Sequence, residues 1–198
     1  MKKLFQPYIK GTLQLKNHVV MAPMTRSRAI DNIPNKLMAT YYKQRSGAGL
    51  IVTEGTSPSP EGLGYPRIPG IFSEAQAEGW KLVTNAVHEG GSKIFLQLMH
   101  TGRVAHSSNL PEGYQVVGMS DSQAAGEIYT ETGMYEYSAP KALDTAGIQR
   151  IIDDHVRAAE NAMAAGFDGV ELHGAHGTCW TNRLTRTQIT AQTTMGVL

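Results

Sequence analysis

Four short apolar runs, HVVMAP at 18–23, GLIVTEG at 49–55, KIFLQLMH at 93–100 and GVELHG at 169–174, are each bounded by Gly, Pro or polar residues. Runs this short and this apolar read as strands buried on both faces, the pattern of a parallel sheet. Helical patterns lie between them. NKLMATYYKQRSGAG follows the first strand, and SEAQAEGWKLVTNAVHEGG follows the second, with Ser73 as N-cap. DTAGIQRIIDDHVRAAENAMAAG precedes the fourth, capped by Asp144 or Thr145 and ended by Gly166. Strand alternating with helix requires right-handed crossovers and places the chain in the α/β class. Ahead of the first strand, turn signals at Pro7 and Gly11 in LFQPYIKGTLQLKN predict a small β-hairpin. The long Gly-, Ser- and Pro-rich segment 101–143 reads as a βα loop that covers a site.

The remaining composition narrows the partners. A net charge of +1 with both signs interspersed offers no footprint for nucleic acid or an anionic membrane, so a small-molecule substrate is the expected partner. No apolar run approaches the roughly 18 residues of a membrane span, and the opening MKKLFQPYIKG does not have the form of a signal peptide. The single cysteine, Cys179, cannot form an internal disulfide, so a cytoplasmic location is the expectation.

In a parallel α/β fold the chemistry sits where strands end at their carboxyl side. Those ends carry Pro23, Met24 and Thr25; Thr53, Glu54 and Gly55; Gln97 and His100; His173 and His176. No carboxylate pair or nucleophile elbow is among them. The set suits a planar heteroaromatic cofactor with an imide edge, because the amide of Gln97 donates and accepts at once. Two other readings stay open: His173 as a core histidine, and His173 with His176 and His100 or His106 as ligands of a metal-dependent barrel hydrolase.

The stretches VVMAPMTRSRA, TEGTSPSPEGLGYPRIPGI, FLQLMHTGR, GEIYTETGM and AGFDGVELHGAHG, in this order, resemble the old yellow enzyme family of FMN-dependent ene-reductases over residues 3–177. The resemblance implies the first half of a (β/α)8 TIM barrel, with about four parallel strands, because 198 residues fall short of the about 250 of a complete barrel. It also implies an NAD(P)H oxidoreductase that uses FMN, takes NADH or NADPH as reductant and reduces activated alkenes. Carried over by residue, Pro23, Met24, Thr25, Gly55 and Gln97 would hold the flavin. Tyr65 and His100 would line the substrate pocket, and His173 and His176 would bind the substrate carbonyl, with no metal.

Departure from the family begins at Thr178, where the resemblance implies a proton-donating Tyr. From there 21 residues hold seven threonines and no acidic residue, against ten threonines in the preceding 177. Rebuilding codons across residue boundaries forces Leu from Cys179 and Trp180, Asp from Trp180 and Thr181, and Gly from Met195 and Gly196, all as the family pattern has them. The expectation is therefore two regions: a half barrel over 1–177, and a frame-shifted, disordered tail over 178–198. A half barrel leaves open sheet edges, which favour self-association. The alternative function is a non-catalytic fragment that folds only with a partner chain.

Overall fold

The computed structural model describes residues 2–179. The chain opens with an antiparallel hairpin, β1 (Tyr8–Lys10) and β2 (Leu13–Leu15), turned at Gly11 with φ of 57°. Then β3 (Val20–Met21), α1 (Lys36–Lys43), β4 (Leu50–Val52), α2 (Glu74–Glu89) and β5 (Lys93–Leu98) follow in strict alternation. The segment after β5 holds a short parallel pair, β6 (Val117–Gly118) with β9 (Lys141–Ala142), and a hairpin, β7 (Glu127–Thr130) with β8 (Gly133–Glu136). Last come α3 (Thr145–Ala164) and β10 (Gly169–Leu172). The main sheet is parallel in the order β10-β5-β4-β3, so chain order and sheet order coincide. The tail from residue 180, and with it the expected frame-shift and disorder, lies outside the described residues.

Period-two alternation divides the sheet into two faces. Ile51, Ile94, Leu96 and Leu98 point to the helices and pack with Trp80 and Val83 of α2 in one core cluster. Val52, Phe95 and Gln97 point the other way. Gly169 is required on that second face, because a Cβ there would sit 2.8 Å from the ring of its register partner Phe95.

The expectation of strands buried on both faces holds for β4 and β5 and fails at the edges. Val20 in β3 is 52% exposed and Leu172 in β10 is 58% exposed. Burial of a strand depends on its neighbours, and each edge strand has one neighbour only among the described residues.

The helix ends follow their sequence signals. Ser73 Oγ accepts from the Gln76 amide at 3.3 Å while Gln76 Oε1 accepts from the Ser73 amide at 3.1 Å, a complete capping box. Asp144 caps α3 through the Gly147 amide at 2.7 Å, and Gly166 follows its end with φ of 87°. Removing one cap is expected to cost about 1 kcal/mol, so Ser73→Ala should lower the urea midpoint with an unchanged m-value.

The turn into β10 is tied to the start of β5 through Asp168. Its carboxylate accepts from Lys93 Nζ at 2.7 Å and from the Ile94 amide at 2.9 Å, and contacts His88 Nε2 at 2.8 Å. Burial alone would raise its pKa, but Lys93, His88 and the amide outweigh burial and hold it below the usual value.

Candidate functional site

The carboxyl ends of the four parallel strands converge on a cavity of about 410 Å³ lined by Pro23, Thr25, Gly55, Tyr65, Gln97, Met99, His173 and His176. That volume lies within the roughly 300–1,000 Å³ typical of small-molecule sites. Each strand contributes. β3 runs into Pro23 and Thr25, β4 into Gly55, β5 carries Gln97 and then Met99, and β10 leads to His173 and His176.

The β3 loop is held from behind by a buried carboxyl. Glu54 Oε2 accepts from the Arg26 amide at 3.0 Å, one residue past Thr25, and Oε1 accepts from the Tyr42 hydroxyl at 3.3 Å. The same hydroxyl accepts from the Glu54 amide at 2.9 Å, which binds α1 to the end of β4. Burial raises the pKa of Glu54, and the Arg26 amide and Tyr42 hydroxyl only partly offset it.

Gly55 lies directly against the Met99 side chain. A Cβ would come within 2.6 Å of Met99 Cε and 2.7 Å of its sulfur, so the bare backbone lets Met99 form part of the wall. Tyr65 lies on the segment between β4 and α2; burial, and next Tyr137, raise its phenol pKa.

The His173 amide donates to the Leu98 carbonyl at 2.9 Å, extending the β10–β5 ladder one residue past the strand. His176 lies in a left-handed turn with φ of 57°, which brings its ring over that of His173 at 5.7 Å and 22°. Burial first, then His176, lowers the His173 pKa, with Glu171 opposing. His173 is therefore neutral at pH 7, with one ring N–H to donate.

Seven of the nine sequence-predicted site residues line this one cavity, and two do not. Met24 is 45% exposed and is not among the residues that line the cavity. His100 is wholly buried: its Nδ1 accepts from the Gly102 amide at 3.1 Å and its ring faces His155 of α3 at 6.4 Å. The residue after Met99 points into the layer between sheet and helix, not into the cavity.

The segment 101–143 supplies none of the residues that line this cavity. It braces the Tyr65 segment instead: Asn109 Nδ2 donates to the Gly64 carbonyl at 2.9 Å, and Glu131 pairs with Arg67 at 2.8 Å. Thr178 is also away from the cavity. Its hydroxyl is buried and donates to the Ala175 carbonyl at 2.8 Å, so it closes its own turn and has no proton directed at a bound molecule. Among the described residues no group of three His, Cys, Asp or Glu is placed to hold a metal ion.

Two residues of the site escape a strand-end reading. Met99 lines the cavity although it also packs with Leu63 and Ile68. Glu171, inside β10, reaches Gln97 at 2.7 Å; the signal was an acid in the middle of an apolar run.

Cavity and topology together define a class: a (β/α) barrel site at the carboxyl strand ends, with amide, hydroxyl and paired imidazole groups converging on an apolar-walled space. Within that class the chain belongs to the NADH:flavin oxidoreductase / NADH oxidase family, whose model matches residues 3–184. It is 46% identical over 175 residues to 12-oxophytodienoate reductase 1 of Oryza sativa subsp. japonica, covering 88% of this chain and 45% of that protein. It is 43% identical over 182 residues to chanoclavine-I aldehyde reductase of Penicillium roqueforti, covering 89% and 47%. Among solved structures, morphinone reductase superposes with a TM-score of 0.89 at 43% identity over 96% of this chain and 52% of that one. The old yellow enzyme homologue from Zymomonas mobilis gives 0.91 at 43% identity, over 96% and 54%. The chain thus spans about half the length of these relatives, and its sheet is the matching part of their barrel.

Proposed function

We propose that the chain carries the first-half share of an FMN site whose complete form reduces activated alkenes, such as enones, at the expense of NADH or NADPH. The observation that supports this reading is the gathering of Pro23, Thr25, Gly55, Gln97, His173 and His176 around one cavity. The residues fit the cofactor: Gln97 offers an amide to an imide edge, Thr25 a hydroxyl, and Pro23 and Met99 apolar walls for a flat ring.

Bound FMN would supply the hydride. His173 and His176 hold the substrate's carbonyl oxygen, and as negative charge builds there the two ring N–H donors stabilise it. Because His173 is neutral, it meets that oxygen by hydrogen bonding and not as a cation. With Thr178 tied to Ala175, the proton that completes reduction comes from another source than that hydroxyl. Small-molecule partners and a cytoplasmic location remain our reading; among the described residues no helix is long and apolar enough to cross a membrane. The exposed Val20 and Leu172 edges support self-association, or pairing with a chain that carries the rest of the barrel.

Titrating the purified chain with FMN, followed by flavin fluorescence and size exclusion, tests the reading. Saturable binding at one FMN per chain is expected, and Gln97→Leu should weaken it. The double change His173→Ala and His176→Ala should leave FMN affinity intact while abolishing binding of an enone to the loaded protein. A chain that binds no FMN overturns the proposal and favours the non-catalytic fragment.

A further inference from the structure

Glu171 stands directly opposite Gln97 in the parallel register of β10 and β5, so the two side chains leave the same face of the sheet. Gln97 Nε2 lies 2.7 Å from Glu171 Oε1. A carboxylate can only accept, so it selects the NH2 end of the amide; the flipped amide would set oxygen against oxygen. The Gln97 backbone is itself fixed, its amide donating to Thr53 Oγ1 at 3.1 Å, and its side chain is buried. Two groups of the Gln97 amide are then left for the cavity: Oε1, an acceptor, and the second Nε2 hydrogen, a donor. Their order is set by Glu171.

We propose that Glu171 is a positioning residue that locks the Gln97 amide in one orientation and so makes the site selective for a ring edge with an N–H beside a carbonyl. The inference rests on the FMN reading above and adds to it the group that sets the polarity of the contact. A ring N–H donates to Oε1, and the neighbouring ring carbonyl accepts from Nε2. The negative charge behind the amide also polarises it, which strengthens both contacts. Glutamine at position 171 keeps the size and one hydrogen bond but pairs with either end of Gln97, so the lock is lost while the packing stays.

The test compares FMN with N3-methyl FMN, which lacks the ring N–H, on the full chain and on Glu171→Gln, Gln97→Leu and the double variant. Affinities are read from flavin fluorescence, and folding from circular dichroism. In the original chain FMN should bind much more tightly than its N3-methyl form. Glu171→Gln should weaken FMN about tenfold, the worth of one charge-assisted hydrogen bond, and shrink that preference severalfold. In the Gln97→Leu background the same change should have no further effect, because Glu171 acts only through Gln97. An unchanged preference in Glu171→Gln, with FMN still bound, overturns the positioning role and leaves the FMN reading standing. Additive losses in the double variant overturn the route through Gln97. Failure of the original chain to bind either flavin overturns both proposals together.

Discussion

Trp80→Ala will lower the stability of the chain by about 3–5 kcal/mol, the range for removing a buried aromatic ring from a core. Trp80 is wholly buried in α2 and joins three parts of the fold. Its ring meets Phe167, just before β10, edge-on at 5.3 Å, and Tyr42 of α1 at 6.4 Å. The indole N–H donates to the Gly70 carbonyl at 3.0 Å, so truncation also strands a buried acceptor. Alanine is the best helix former, and α2 itself does not suffer; the whole loss is packing and one hydrogen bond. Domains of this size commonly hold only about 5–15 kcal/mol in all, so the change takes a large share. Urea unfolding followed by far-UV circular dichroism reads it directly. Trp80→Phe isolates the hydrogen bond from the ring area, and should cost less than half as much. An alanine variant within about 1 kcal/mol of the original would show that α1, α2 and the approach to β10 do not depend on this ring.

The parts of this fold that a sequence shows are those decided locally. The central strands β4 and β5 follow from their apolar runs, and the start of α2 from Ser73 and Gln76, because a capping box needs only residues three apart. The edge strands look the same in sequence and differ in structure, since exposure of Val20 and Leu172 is a property of missing neighbours. The site was legible as far as strand ends are: the residues at those ends include Gln97, His173 and Gly55, and all three line one cavity. The strand-end reading misled at His100, because even spacing from Leu96 and Leu98 puts its ring on the helix face, toward α3. The role of segment 101–143 was hidden for another reason. A brace made of Asn109 on Gly64 and Glu131 on Arg67 joins residues far apart in the chain, and no local pattern announces it. Glu171 belongs with these, because its meaning depends on the register that sets it against Gln97.

The misplaced histidine carries the other large expected effect: lowering the pH from 6.5 toward 3 will remove on the order of 4–5 kcal/mol of stability through His100 alone. Burial first, then His155 and Arg150, brings the His100 pKa down to about 3. In the unfolded chain the imidazole takes a proton as the pH falls through about 6.5, whereas the native chain refuses it until about 3. The unfolded state therefore binds more protons across that window, and stability falls with pH by up to one proton's worth. The hydrogen bonding agrees with a neutral ring, because His100 Nδ1 accepts from the Gly102 amide and so cannot carry the proton itself. His155 adds to the slope in the same direction, its pKa lowered by burial although its own Nδ1 donates to the Ile151 carbonyl at 2.8 Å. Glu54 opposes it: its raised pKa means that the native chain takes up that proton before the unfolded one. Asp168 contributes below the usual carboxylate range, where its ion pairs are lost. Because these terms overlap, the decisive measurement is a difference between two proteins. His100→Asn keeps an acceptor for the Gly102 amide and removes the titration. Urea unfolding between pH 6 and 4.5 should show a shallower loss of stability in the variant, by close to one proton. Equal slopes would mean that the native imidazole protonates as freely as the unfolded one, and that the layer between β5 and α3 admits the charge.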